Sequence, residues 1–94
     1  MPDDAAILAK IEFSIIRYRN GKGAFSSLVN ALDAASLRVA ADAPFRYELR
    51  SRWQDLDAIN RASRTNPRSE PSGEHRRQAE MVLDELVELA RSNR

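Results

Sequence analysis

The sequence predicts an all-α protein, a small antiparallel four-helix bundle, and three observations predict it. Four segments rich in Ala, Leu, Arg and Glu carry apolar residues three and four positions apart, most cleanly in the second. No stretch alternates Val, Ile, Thr and aromatics with the period of two that a half-buried strand needs. The breakers are confined to three places: Asn20-Gly21-Lys22-Gly23, Asp42-Ala43-Pro44, and residues 63–73 with Asn66-Pro67 and Pro71-Ser72-Gly73.

The first helix is expected over about Asp4 to Tyr18, with Asp3 or Asp4 suited to cap its N-terminus. Ile7, Leu8, Ile11, Ile15 and Tyr18 fill one arc and Ile16 widens it, while Lys10, Ser14 and Arg17 lie opposite. Gly21-Lys22-Gly23 lacks the glycine spacing and preceding strand of a phosphate loop and reads as a helix C-cap followed by a new start. The second helix, about Ala24 to Ala41, has the cleanest stripe: Phe25, Leu28, Val29, Leu32, Ala35, Ser36 and Val39. The third, about Pro44 to Arg61, carries Phe45, Leu49, Trp53, Leu56 and Ile59; Pro44 suits its first turn and Asp42 its cap. The fourth, about Glu74 to Arg91, buries Ala79, Val82, Leu83, Leu86, Leu89 and Ala90. Short first and second connections make helices one to three antiparallel neighbours. The longer third connection permits either a closed bundle or three helices with a loosely docked fourth.

Residues 1–94 fit a single helical domain, since a chain this short rarely divides into two cores. With no Cys and one His, disulfide scaffolds, thiolate zinc sites, Cys nucleophiles and His pairs are all excluded. No apolar run reaches the roughly 18–20 residues that span a bilayer. The acidic start, Met1-Pro2-Asp3-Asp4, lacks the basic opening of a secretory signal, so a soluble, cytoplasmic protein with no membrane partner is expected.

The net charge of +1 conceals a gradient. Residues 1–45 hold five basic and five acidic groups, residues 46–77 eight Arg and five acids, residues 78–94 two Arg and four acids. On the fourth helix Glu80, Asp84, Glu85 and Glu88 all project opposite the apolar stripe, with Met81 among them. This face is either solvated with one stray methionine or an acidic epitope with an apolar anchor for a basic partner. The Arg-rich middle raises contact with nucleic acid, but Glu48, Asp55, Asp57, Glu70 and Glu74 are interleaved with it, and a nucleic-acid-binding domain shows a clearer excess of positive charge.

Glu12 and Arg52 each fall inside an apolar arc. Either they pair across the bundle and fix helix register, or each sits at a stripe edge and reaches water. His75 reads as a packing or capping residue, and Trp53 as core. The serines have no His partner or nucleophile elbow, and Glu12 has no second acid or base at a recognisable spacing. No catalytic, cofactor-binding or metal-ligating residues are assigned.

The run Ile11-Glu12-Phe13-Ser14-Ile15-Ile16, a Gly-containing turn, Phe25-x-x-Leu28-Val29, and then Trp53-x-x-Leu56-x-x-Ile59 resembles the small helical immunity proteins made beside bacterial toxins. The likeness is to the colicin D immunity type and to immunity proteins of contact-dependent growth inhibition, and it rests on size, helix count and apolar spacing over most of the chain. It implies a stoichiometric inhibitor that covers the active site of a cognate nuclease toxin domain, often one that cleaves transfer RNA, and does no chemistry itself. The helical projection, rather than the family, nominates Glu80, Met81, Asp84, Glu85 and Glu88 as the toxin-binding residues. Inhibitors of basic nucleases are usually clearly acidic, and this chain is not. Two other readings stay open: a helical interaction or homodimerisation module, and a nucleic-acid-binding regulator.

Overall fold

A computed structural model of the chain describes residues 4–40, 42–66 and 69–94. Among the described residues four α-helices run in sequence: α1 (Asp4–Arg19), α2 (Phe25–Arg38), α3 (Arg46–Ala62) and α4 (Gly73–Ser92), and a 3-10 turn, Ser63–Thr65, follows α3. No strand occurs among the described residues. Contacts join α1 to α2, α2 to α3, α3 to α4 and α4 back to α1, so the helices close into a ring and the diagonal pairs barely touch. The bundle measures 41 × 22 × 19 Å. Because α4 packs on both α1 and α3 and buries Ala79, Leu83, Leu86 and Ala90, it is an integral fourth helix.

One core fills the axis. Leu8, Ile11, Ile15, Phe25, Leu49, Leu56, Leu83 and Leu86 are essentially without solvent contact, and removing each such side chain from water stabilises the fold by roughly 1.5–3 kcal/mol. They are the residues that the helical spacing selects. Ile16 departs from that selection: it stays exposed, because the arc facing α2 and α4 is already filled by Ile7, Leu8, Ile11 and Ile15. Trp53 is half-buried against the core, its Nε1–H donating to the Val29 carbonyl at 2.8 Å. The Arg50 guanidinium lies over its ring, 4.5 Å from the centroid, and donates to Asp33 and to Ser36 Oγ, at 2.7 Å each. Tyr18 and Phe25 meet edge to face, 5.6 Å between centroids.

The helix ends show where side-chain pattern gives way to backbone chemistry. After α1, Lys22 N–H donates to the Arg17 carbonyl and Gly21 N–H to that of Tyr18, with Gly21 at φ +80°. That is a Schellman C-cap, as the glycine turn predicts. α2 stops three residues short of Ala41, itself outside the described residues. At Val39 the backbone turns extended (φ −64°, ψ 143°) while its side chain stays buried. The Arg46 guanidinium covers the Val39 carbonyl. Pro44 and exposed Asp42 precede α3 rather than opening or capping it; the residue at its N-terminus is Phe45, after a turn closed by Arg46 N–H on the Ala43 carbonyl. Asp4 accepts from the Ala40 N–H at 3.2 Å and so ties the start of α1 to the end of α2. The alternative cap, Asp3, lies outside the described residues.

Between α3 and α4 the chain is tied down by its own polar groups. Ser63 Oγ donates to the Ile59 carbonyl, and Asn66 Nδ2 to the Glu70 carbonyl at 3.1 Å. Pro71 is buried. The Glu70 carboxylate accepts from Tyr18 O–H at 2.8 Å and from Phe25 N–H at 2.7 Å. Ala24, at the α2 N-terminus, offers no side-chain cap. Glu70, from across the bundle, therefore satisfies one of the orphan donors of α2 and places a negative charge at its positive end.

Candidate interaction surface

The outer face of α4 follows from the same 3.6-residue spacing that buries Ala79, Leu83, Leu86 and Ala90. Opposite that stripe stand Glu80, Met81, Asp84, Glu85 and Glu88. Met81 is 63% exposed, an unbranched apolar side chain with Asp84 and Glu85 one turn after it and Gln78 and the exposed Arg77 one turn before it. The structure therefore gathers the five nominated residues on one continuous face.

The flanking helices add groups that the projection of α4 alone does not contain. From the end of α1, Arg19 reaches Glu80 at 3.0 Å and Asp84 at 2.7 Å. From α3, Arg52 pairs with Glu85. Glu88 forms no ion pair among the described residues. At this degree of exposure such pairs add at most about 1 kcal/mol each to stability. Their larger effect is on the face itself: three of the four carboxylates are oriented by a guanidinium, and the exposed Arg77, one turn before Met81, adds a third cation beside it. Glu48, Arg52, Glu88 and Leu89 border a shallow groove at the C-terminal end of this face.

Glu12 and Arg52 are not partners. They stand on α1 and α3, which are diagonal in the ring. Glu12, 8% exposed, is held from α4 and the chain end instead, by Arg91 at 2.8 Å and Arg94 at 2.9 Å. In the Arg-rich middle, Arg50, Arg52, Arg61 and Arg77 each pair with a carboxylate, respectively Asp33, Glu85, Asp57 and Glu74, while Arg68 lies outside the described residues. His75 is half-buried near the start of α4. Among the described residues, no group of three or more His, Cys, Asp and Glu is arranged to hold a metal ion, and no helix is long and apolar enough to cross a membrane.

The polar cluster that sequence reasoning missed is Tyr18–Glu70. Burial, then the hydrogen bond to Glu70, then that carboxylate's charge push the Tyr18 phenol well above its usual range. Tyr18 and Glu70 together clasp α1 and the start of α2 to the connection before α4. Its only trace in the sequence is an acidic residue inside an otherwise loop-like segment.

Comparison with protein-family models, curated proteins and solved structures returns no match to this chain.

Proposed function

We propose that the protein acts by stoichiometric binding of another protein, as an immunity-type inhibitor that covers the active site of a basic nuclease toxin domain in the cytoplasm of the producing cell. The observation that carries this reading is the α4 face: exposed Met81 shares it with four carboxylates, three of them oriented from neighbouring helices. Carboxylates at helical spacing can stand where substrate phosphates would meet a basic groove, and a central apolar side chain gives the contact an anchor. Arg19 and Arg52 limit the net charge of the patch. Complementarity of this kind acts mainly on the rate of encounter and on partner choice.

Affinity capture from the source cells, followed by co-expression with the captured protein, tests the reading. Wild-type bait should retain one basic protein in equimolar amount and protect cells that express it. Asp84→Lys with Glu88→Lys should slow association and increase escape from protection. Equal protection by that variant would overturn the α4 mechanism.

A further inference from the structure

A second surface lies between α1 and α2, away from the outer face of α4. The helices leave a groove of about 430 Å³ there. From α1 it is lined by Lys10, Phe13, Ser14 and Arg17, one stripe at i, i+3, i+4 and i+7. The α2 side presents short side chains, with Ala31 and Ala34 exposed and Leu28 at the base. Lys22 and Arg38 complete the rim, and among the described residues no carboxylate lines the groove.

The charge is one-sided because the acids of α1 and α2 are engaged elsewhere. Asp4 bonds the Ala40 backbone, Glu12 pairs towards α4, and Asp33 pairs with Arg50 towards α3. None of Lys10, Arg17, Lys22 and Arg38 forms an ion pair among the described residues; Arg17 instead lies over the Phe13 ring at 5.9 Å. Antiparallel pairing, anchored by the Asp4–Ala40 bond and the Tyr18–Phe25 contact, sets Lys10 and Arg38 towards one end and Arg17 and Lys22 towards the other. Between them lies an apolar stretch, Phe13 at 58% exposure facing alanines. From Ala24 to Arg38 the groove runs roughly 20 Å at helical rise, about four turns.

We propose that this groove docks an acidic amphipathic helix of a partner protein. Its apolar ridge lies on Phe13, Leu28, Ala31 and Ala34, and its flanking carboxylates meet the four cations. Short side chains on α2 allow a guest helix the close axial approach of ridge-in-groove packing. A polyphosphate has no apolar ridge to bury, and a bilayer is met by a convex apolar face, not a concave one. This proposal is independent of the reading of α4.

The test uses a fluorescein-labelled, side-chain-stapled helical peptide of Glu and Leu, with Leu along one face, read by anisotropy. Comparison probes are the same peptide with Leu changed to Ser, a single-stranded oligodeoxynucleotide, and phosphatidylglycerol vesicles. Wild-type protein should prefer the Glu–Leu peptide. Lys10→Glu with Arg17→Glu should weaken binding about tenfold or more, and so should Ala31→Trp, which fills the groove without altering charge. Both variants change solvent-facing positions, and circular dichroism checks that they fold. Equal affinity for the Ser peptide, undiminished binding by Ala31→Trp, preference for the oligonucleotide or vesicles, or no binding by wild type would overturn the proposal. Self-association abolished by Lys10→Glu with Arg17→Glu would give the groove to a second copy and overturn it equally.

Discussion

Replacing Glu70 with Ala removes one carboxylate and disconnects three parts of the bundle. Phe25 N–H loses the acceptor at 2.7 Å that caps α2, and Tyr18 O–H loses the one at 2.8 Å that ties α1 to the connection before α4. Losing an N-terminal cap costs about 1 kcal/mol. The half-buried phenol, deprived of a charged acceptor, costs about another 1 kcal/mol once water replaces part of the interaction. Glu70→Ala should therefore destabilise the protein by about 2 kcal/mol. At roughly 4–8 °C per kcal/mol for a domain of this size, the midpoint of thermal unfolding falls by about 8–16 °C. Glu70→Gln, which keeps an acceptor but not the charge, should lose about half as much. The assay is urea unfolding at equal m-value, with amide exchange at Phe25 as the local readout and a double-mutant cycle with Tyr18→Phe. A cycle coupling near zero, or a loss by Glu70→Ala below about 0.5 kcal/mol, would refute the clasp.

Other consequences follow from particular contacts. Gly21→Ala should cost about 1 kcal/mol through backbone strain alone, since Gly21 sits at φ +80° and an added Cβ meets nothing within 4 Å; an unchanged urea midpoint would contradict this. Glu12→Met should be neutral or stabilising, because a buried carboxylate gives up hydration that Arg91 and Arg94, both partly exposed, only partly return; a loss above about 1 kcal/mol in urea unfolding would contradict it. Above about pH 10 the unfolded chain releases the Tyr18 proton while the folded protein keeps it, so stability must fall as pH rises there. Tyr18→Phe should flatten that alkaline slope, which denaturation at stepped pH would read.

The helices were legible because burial in a bundle is periodic in sequence. Leu8, Ile11 and Ile15, and again Leu83, Leu86 and Ala90, face the axis for no reason beyond their spacing. The end of α2 was not, since Val39 continues the apolar stripe while its backbone has already turned extended, and a buried side chain does not require a helix. The α4 acidic face was visible from one helix's own projection. Arg19 and Arg52, which adjust it, arrive from α1 and α3 and depend on which helices become neighbours. The α1–α2 groove was hidden by arithmetic: residues 1–45 balance in charge, and the sequence does not show that Asp33 and Glu12 pair with other helices. Glu70 was hidden by distance, 45 residues from the amide it caps.

Association of the captured basic partner with wild type and with Met81→Lys, Glu88→Lys most directly tests the claim that α4 is the binding face. Met81 and Glu88 are the right pair to alter because both are exposed and Glu88 is in no ion pair among the described residues, so the substitution changes the surface and leaves the fold intact. Measured at two salt concentrations, the wild-type association rate should fall steeply with salt, and the variant should associate about tenfold more slowly in low salt with a flatter dependence. Equal rates and equal salt dependence for the two proteins would contradict the account and remove α4 as the contact.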